Sequence, residues 1–328
     1  MPWFALCQEI LPRFGIHAEC RLARFDHATG QFDLEHLAEL VDSRTKIVCC
    51  TGASNFLGTR PPLSFVRQIC RDSGYVQPDG REGSLLLVDG AQLVPSSHVD
   101  VTALDVDYLS FSFHKFLAPF GIGVLYAKEH LLLESLPFLF GGDMIAEGQV
   151  RPDRVGYQDL PWTYSAGTPN ILGAIISAES LRLVADLTSE DLEPALFRSD
   201  HPIDQSIVRR TMTRLHRHTT ALTARAIEQL TTIPGLHIHG PQDAGERAPL
   251  IAFNVQGWHP VEIAESLGRY GVEARAGCHC APLAHQELAL DPLASCRLSF
   301  ALYNTAEDID RAIDTLRWVL RRQRGRPL

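Results

Sequence analysis

The sequence predicts an α/β fold, with a mainly parallel sheet in a large first domain and a smaller α+β domain after it. Two observations carry this. Short apolar runs rich in β-branched residues alternate with stretches of helical spacing, the pattern of a sheet covered on both faces. After residue 185 the composition also shifts, to an acidic, proline-containing stretch over 186–204. A length of 328 residues suits about two domains of roughly 150 residues each, divided here as 1–185 and 186–328.

The elements follow in order. Residues 46–50 form a short apolar run, a buried strand. Residues 62–73 have helical spacing through Phe65, Val66, Ile69 and Cys70, with prolines at the start. A polar loop over 77–83 leads to a second buried strand at 85–88. Strands follow at 106–111 and 121–126, and a nearly all-apolar helix at 170–184. The second half reads helix 206–230, strands 236–239 and 250–255, helix 260–270, a loop over 275–282, strand 296–301 and a closing helix 305–322. The last begins with Thr305 and has Asp308 three residues on, a capping pair.

Bulk properties exclude several classes of function. Hydrophobic residues make up 45% and charged residues 21%, the balance of a globular protein in water. A formal charge of −9 lacks the basic stripe of a nucleic-acid binder and disfavours anionic membranes. No apolar run approaches the ~18 residues of a bilayer span, and no signal peptide is evident. The eight cysteines are scattered, as in a reduced, cytoplasmic protein rather than a disulfide scaffold.

Two segments carry chemistry. In Leu85-Leu86-Leu87-Val88-Asp89-Gly90-Ala91-Gln92, a carboxylate appears where a buried strand ends, and ligands of open α/β sheets bind at such ends. A capping role for Asp89 is the plainer alternative. In Tyr108-Leu109-Ser110-Phe111-Ser112-Phe113-His114-Lys115, a lysine follows a strand between Phe113 and Phe116. Desolvation disfavours its ammonium, which makes Lys115 a candidate Schiff-base nucleophile. An exposed loop lysine is the alternative. Together they suit pyridoxal phosphate, which needs a lysine for its aldehyde and an acid for its ring nitrogen.

These strings resemble the signature of the class V aminotransferases (fold type I pyridoxal-phosphate enzymes), in particular Suf-type cysteine desulfurases and selenocysteine lyases. Ser54-Asn55-Phe56-Leu57-Gly58-Thr59, Ala166-Gly167-Thr168-Pro169-Asn170 and Arg275-Ala276-Gly277-Cys278-His279-Cys280-Ala281-Pro282 are similar to further family motifs, with Arg297 and Tyr303-Asn304-Thr305 in order. The resemblance implies that Lys115 carries the cofactor and moves the substrate Cα proton. It implies that Asp89 pairs with the ring nitrogen, Gln92 with the ring hydroxyl, and Ser112 and His114 with the phosphate. Asn55 would lie near ring and substrate, and Arg297 would clamp the substrate carboxylate with Arg275 beside it. Thr168 would reach the phosphate site of a neighbouring subunit in a homodimer.

Cys280 decides between functions. In the desulfurases a thiolate at this place takes sulfur from cysteine, leaving alanine and a persulfide that passes to an acceptor protein or a reductant. Such chemistry needs an accessible thiol of lowered pKa, and Arg275 and His279 are expected to supply positive or switchable charge. The alternatives are another class V reaction (C–S lyase, aminotransferase or epimerase) with Cys280 incidental, or a non-catalytic relative. Cys278-His279-Cys280 has no second Cys/His cluster to complete a metal site, so no metal is expected. The chain departs from the family in three ways. It is expected to be N-terminally short, as a fragment or a partner-dependent form. It has Ser165 where an acid is usual, and it carries an insert around 186–205.

Overall fold

The computed structural model describes residues 2–119, 121–188 and 203–323. A short helix α1 (Pro2–Ala5) and helix α2 (Leu34–Leu40) precede the first sheet. That sheet has four strands in the order β1 (Ile47–Thr51), β2 (Leu85–Asp89), β3 (Tyr108–Ser112) and β4 (Gly123–Ala127). β1 with β2 and β2 with β3 pair in parallel. Helix α3 (Leu63–Arg71) crosses from β1 to β2 and buries Leu63, Val66 and Cys70. These are the spacings that marked a helix in the sequence. β4 runs antiparallel to β3. The link over 113–122 is shorter than the dozen or so residues that a parallel crossover needs.

Further along lie α4 (Val101–Leu104), capped by the Asp100 carboxylate, and α5 (Glu129–Leu133). A hairpin of β5 (Ile145–Arg151) and β6 (Arg154–Tyr157) follows. No sequence pattern marked it, because its residues are mixed polar and apolar and, among the described residues, it contributes none to the buried cores. Helix α6 (Ile171–Leu187) is N-capped by Asn170, whose Oδ1 accepts from the Gly173 N–H at 2.9 Å. The expected division at 185/186 falls within this helix. The insert around 186–205 lies largely outside the described residues.

The second sheet has the order β7 (Leu236–His239), β8 (Leu250–Val255), β10 (Ser295–Ser299) and β9 (Arg275–Gly277), antiparallel throughout. Helices α7 (Gln205–Leu230), α8 (Pro260–Gly268) and α10 (Ala306–Gln323) pack their apolar stripes on it. Phe253, Ile263, Ile313 and Leu316 are fully buried there, and each such side chain stabilises the fold by about 1.5–3 kcal/mol. A short helix α9 (Pro282–Glu287) follows the loop after β9. The capping pair of α10 forms as expected. Thr305 Oγ1 accepts from the Asp308 N–H at 3.2 Å, and Asp308 Oδ2 accepts from the Thr305 N–H at 3.0 Å.

The two sheets are stitched together. The Arg60 N–H donates to Glu246 O at 3.0 Å, and the Ala248 N–H to Gly58 O at 2.8 Å. Ala248 and Leu250 join the core under the first sheet. Between them the buried Arg247 guanidinium donates to Leu250 O, Pro241 O and His239 O. Three carbonyl partners offset the desolvation of a cation that has no carboxylate beside it. This seam sets the carboxyl ends of β2 and β3 against β10.

Candidate active site

β2 and β3 are in register with Asp89 opposite Ser110, so the residues that follow each strand emerge side by side. Asp89 Oδ1 accepts from the Ala91 N–H at 2.9 Å, which turns the chain away after the strand. This is the contact that the capping alternative for Asp89 expects. After β3 the chain makes a single 3₁₀ turn, Phe113–Lys115. Ser112 Oγ lies 2.7 Å from His114 Nδ1 and donates to Ile122 O at 3.1 Å. Lys115 stays accessible, yet its pKa is pushed down. Loss of water around the amine is the main cause, and Arg297 and Arg275 add to it. Asp89 and Cys280 act in the opposite direction. Asp89, Arg275, Cys280 and Arg297 come from separate segments, and all lie within electrostatic reach of one amine.

Arg297 stands on β10, where its register partners are Ala252 on one side and Arg275 on the other. One Nη donates to Asn55 O at 2.7 Å. Its Nε is buried without a hydrogen-bond partner among the described residues. Burial, with Arg275 next to it, lowers its pKa. A half-satisfied, desolvated guanidinium is a receptor for a carboxylate. Asn55 follows β1, in a loop held by Ser54 Oγ, which accepts from the Phe56 and Leu57 N–H groups. Its Nδ2 donates to His279 O. Thr59 of the same motif is buried and donates to Gly30 O at 2.7 Å, a structural role.

A cavity of about 310 Å³ opens between the sheets, and Gln92, His114, Lys115 and Arg297 line it. Its remaining walls include Phe116, Leu215, Leu250 and Phe300. Apolar walls with a few converging polar groups are the usual form of a small-ligand site. Thr168 is exposed, in a loop tied down by Gly167 N–H to Gly142 O (2.8 Å) and by Asn170 Nδ2 to Gly121 O (3.0 Å). No contact among the described residues brings it to the Lys115 group.

Cys280 is exposed and has a left-handed backbone with φ 60°, as does His279 with φ 51°. The expectation that His279 supplies positive charge is corrected. Its ring is buried, burial pushes its pKa down to about 4, and Nε2 lies 3.0 Å from Ser295 O. The basic side chains within electrostatic reach of Cys280 are Lys115 and Arg297. The sequence also did not point to the support under this loop. His285 is fully buried, with Nδ1 2.9 Å from Ala281 O and Nε2 3.1 Å from Ser295 Oγ. Its ring stacks on Phe56, with centroids 3.8 Å apart. The spacing of five residues after Cys280 carries no signal that such a contact exists.

The family model for aminotransferase class-V matches residues 17–196 and 206–312. The chain belongs to the class-V aminotransferase family. Similar curated relatives of this class-V chain include a cysteine desulfurase of Haloferax volcanii, 34% identical over 94% of this chain and 63% of the relative. A probable cysteine desulfurase of Halobacterium salinarum is 35% identical over 87% of this chain and 60% of the relative. The chain thus spans about three fifths of the length of these relatives. Among solved structures, the apo cysteine desulfurase of Thermococcus onnurineus NA1 superposes with a TM-score of 0.79 and 27% identity, covering 98% of this chain and 69% of that one. The Escherichia coli cysteine desulfurase CsdA gives 0.72 and 31%, covering 88% and 62%. The fold is that of the type I pyridoxal-phosphate enzymes.

Proposed function

We propose that this class-V chain is a cysteine desulfurase: L-cysteine and the Cys280 thiol give L-alanine and a Cys280 persulfide. One observation carries the reading. The exposed Cys280 thiol and the Arg297 and Arg275 guanidiniums converge on a lysine amine whose pKa is pushed down.

The residues present fit pyridoxal phosphate. Lys115 offers an amine for the aldehyde, Asp89 an acid for the ring nitrogen, and Gln92 a partner for the ring hydroxyl. Ser112 and His114 would hold the phosphate. When bound, this cofactor supplies an electron sink for the charge left at the substrate Cα. The protein does the rest. Arg297, helped by Arg275 and steadied by the Asn55 carbonyl, fixes the substrate carboxylate through its spare donors. Lys115, more readily neutral than a free lysine, takes and returns the Cα proton. Cys280 receives the sulfur at the rim, where an acceptor protein or a reductant can reach it.

The wider reading is a homodimer in a reducing, cytoplasmic setting, with a division near residue 185. All eight cysteines are free, and no helix among the described residues is long and apolar enough to cross a membrane. Leu136, Phe138, Leu139 and Phe140, and Ile171, Leu172 and Ile175 on α6, expose large apolar side chains. Such patches suit coverage by a second subunit, to whose cofactor phosphate Thr168 would then be presented.

The test is cofactor binding followed by alanine release from L-cysteine. Wild type should show a visible absorption band with added pyridoxal phosphate, fixed on Lys115 by borohydride and lost in Lys115→Ala. Cys280→Ala should keep the band and lose alanine production. Alanine production that survives in Cys280→Ala would replace the reading with another class V reaction, and no band at saturating cofactor would end it for this chain.

A further inference from the structure

We infer that Cys278 is a resolving thiol, which lets this chain release the sulfur on Cys280 as sulfide without an acceptor protein. The inference rests on the proposed Cys280 persulfide. The Ala281 N–H donates to Cys278 O at 2.7 Å and closes a four-residue turn over 278–281. Its two central residues, His279 and Cys280, both have positive φ, 51° and 60°, the sign pattern of a type I′ turn. Cys278 and Cys280, two positions apart at the first and third places of this turn, are brought near the roughly 4.4–6.8 Å Cα separation that a disulfide bridges.

The turn is fixed by groups outside it. Asn55 Nδ2 donates to His279 O, His279 Nε2 bonds Ser295 O, and His285 Nδ1 bonds Ala281 O. Two successive non-glycine residues in left-handed conformation are disfavoured sterically and persist because these contacts over-determine the backbone. Cys280 is exposed and Cys278 half-buried beside it. Cys50, Cys70 and Cys296 are buried, and burial pushes their thiols up to about 12. They are therefore poor competitors for the step.

The step balances within the pair. The Cys278 thiolate attacks the Cys280 sulfur of the persulfide. A Cys278–Cys280 disulfide forms, the bond to the outer sulfur breaks, and hydrosulfide leaves with the electron pair and takes up the proton that Cys278 lost. The outer sulfur is reduced and the two cysteines are oxidised. A dithiol reductant then restores both thiols by exchange.

The experiment loads sulfur chemically and so bypasses the reaction with cysteine. The reduced chain, saturated with pyridoxal phosphate, is treated with inorganic polysulfide, alkylated, digested and weighed, and free sulfide is measured. Wild type should release about one sulfide per chain more than Cys278→Ser and yield a Cys278–Cys280 peptide about 2 Da lighter than the dithiol. Cys278→Ser should hold Cys280 as a species about 32 Da heavier and keep it about tenfold longer than wild type holds its persulfide. A wild-type persulfide that lasts as long as that of Cys278→Ser would overturn the inference. So would a disulfide joining Cys280 to a cysteine other than Cys278. Failure of the alanine assay alone would count against the proposed function and leave this measurement readable.

Discussion

Acidification from pH 7.5 to 4.5 should cost the fold about 5 kcal/mol, and two histidines account for it. His239 and His279 are buried, and burial is the first cause holding each pKa down to about 4 against an ordinary 6.5. Below pH 6.5 the unfolded chain protonates both rings and the folded chain does not. The unfolded state then binds more protons, so stability falls as pH drops from 6.5 towards 4. Each pH unit in that window is worth about 1.4 kcal/mol per ring. At pH 4.5 this reaches about 2.5 kcal/mol per ring, nearly all of it acquired below pH 7. The figure is an upper bound, since water entering beside a charged ring softens the penalty. The carboxylates held below their usual range, Asp42, Asp105 and Asp310, lose their contribution only as pH falls below about 4. The window above 4.5 therefore isolates the histidines. His285 and His216, also pushed down by burial, act in the same direction. Urea unfolding at closely spaced pH values, with a constant m-value, measures the effect. The double variant His239→Gln/His279→Gln should flatten the profile. A wild-type loss under about 1 kcal/mol, or an unchanged slope in the double variant, would refute the argument.

Three further outcomes follow from single contacts. Asp107→Asn should lower stability by about 1.5–3 kcal/mol, read as a fall in the thermal midpoint. The buried carboxylate accepts from Arg67 Nη at 3.0 Å, Lys128 Nζ at 2.7 Å and the Leu86 N–H at 2.7 Å, and without its charge both cations are left to Asp105. Gly240→Ala should abolish soluble folded protein, whereas Gly80→Ala should cost only about 1–2 kcal/mol. Both glycines have positive φ, but a Cβ at Gly240 would meet the Leu57 carbonyl oxygen at 2.0 Å while one at Gly80 meets nothing within 4 Å. Thr305→Ala should cost about 1 kcal/mol in urea unfolding, because it removes the oxygen that accepts from the Asp308 N–H at the start of α10.

The sequence determined most of the elements and the place of each motif along them. Apolar runs mark β1, β2, β7 and β8, helical spacing marks α3, and the Thr305–Asp308 pair marks the start of α10. These signals are local, because side-chain period and capping act within a few residues. The same locality put Asp89 at the end of β2 and Lys115 just past β3. Tertiary structure decided what each group is worth. Asn55 and Arg297 meet although 242 positions separate them. His279 was expected to carry charge and is instead sealed neutral, and His285 with Phe56 supports the Cys280 turn from below. The β5–β6 hairpin and the exposed position of Thr168 were likewise settled by the folded chain. A residue's charge and reach depend on the water it loses and the atoms that replace it. Those atoms arrive from distant parts of the chain, which no local pattern records.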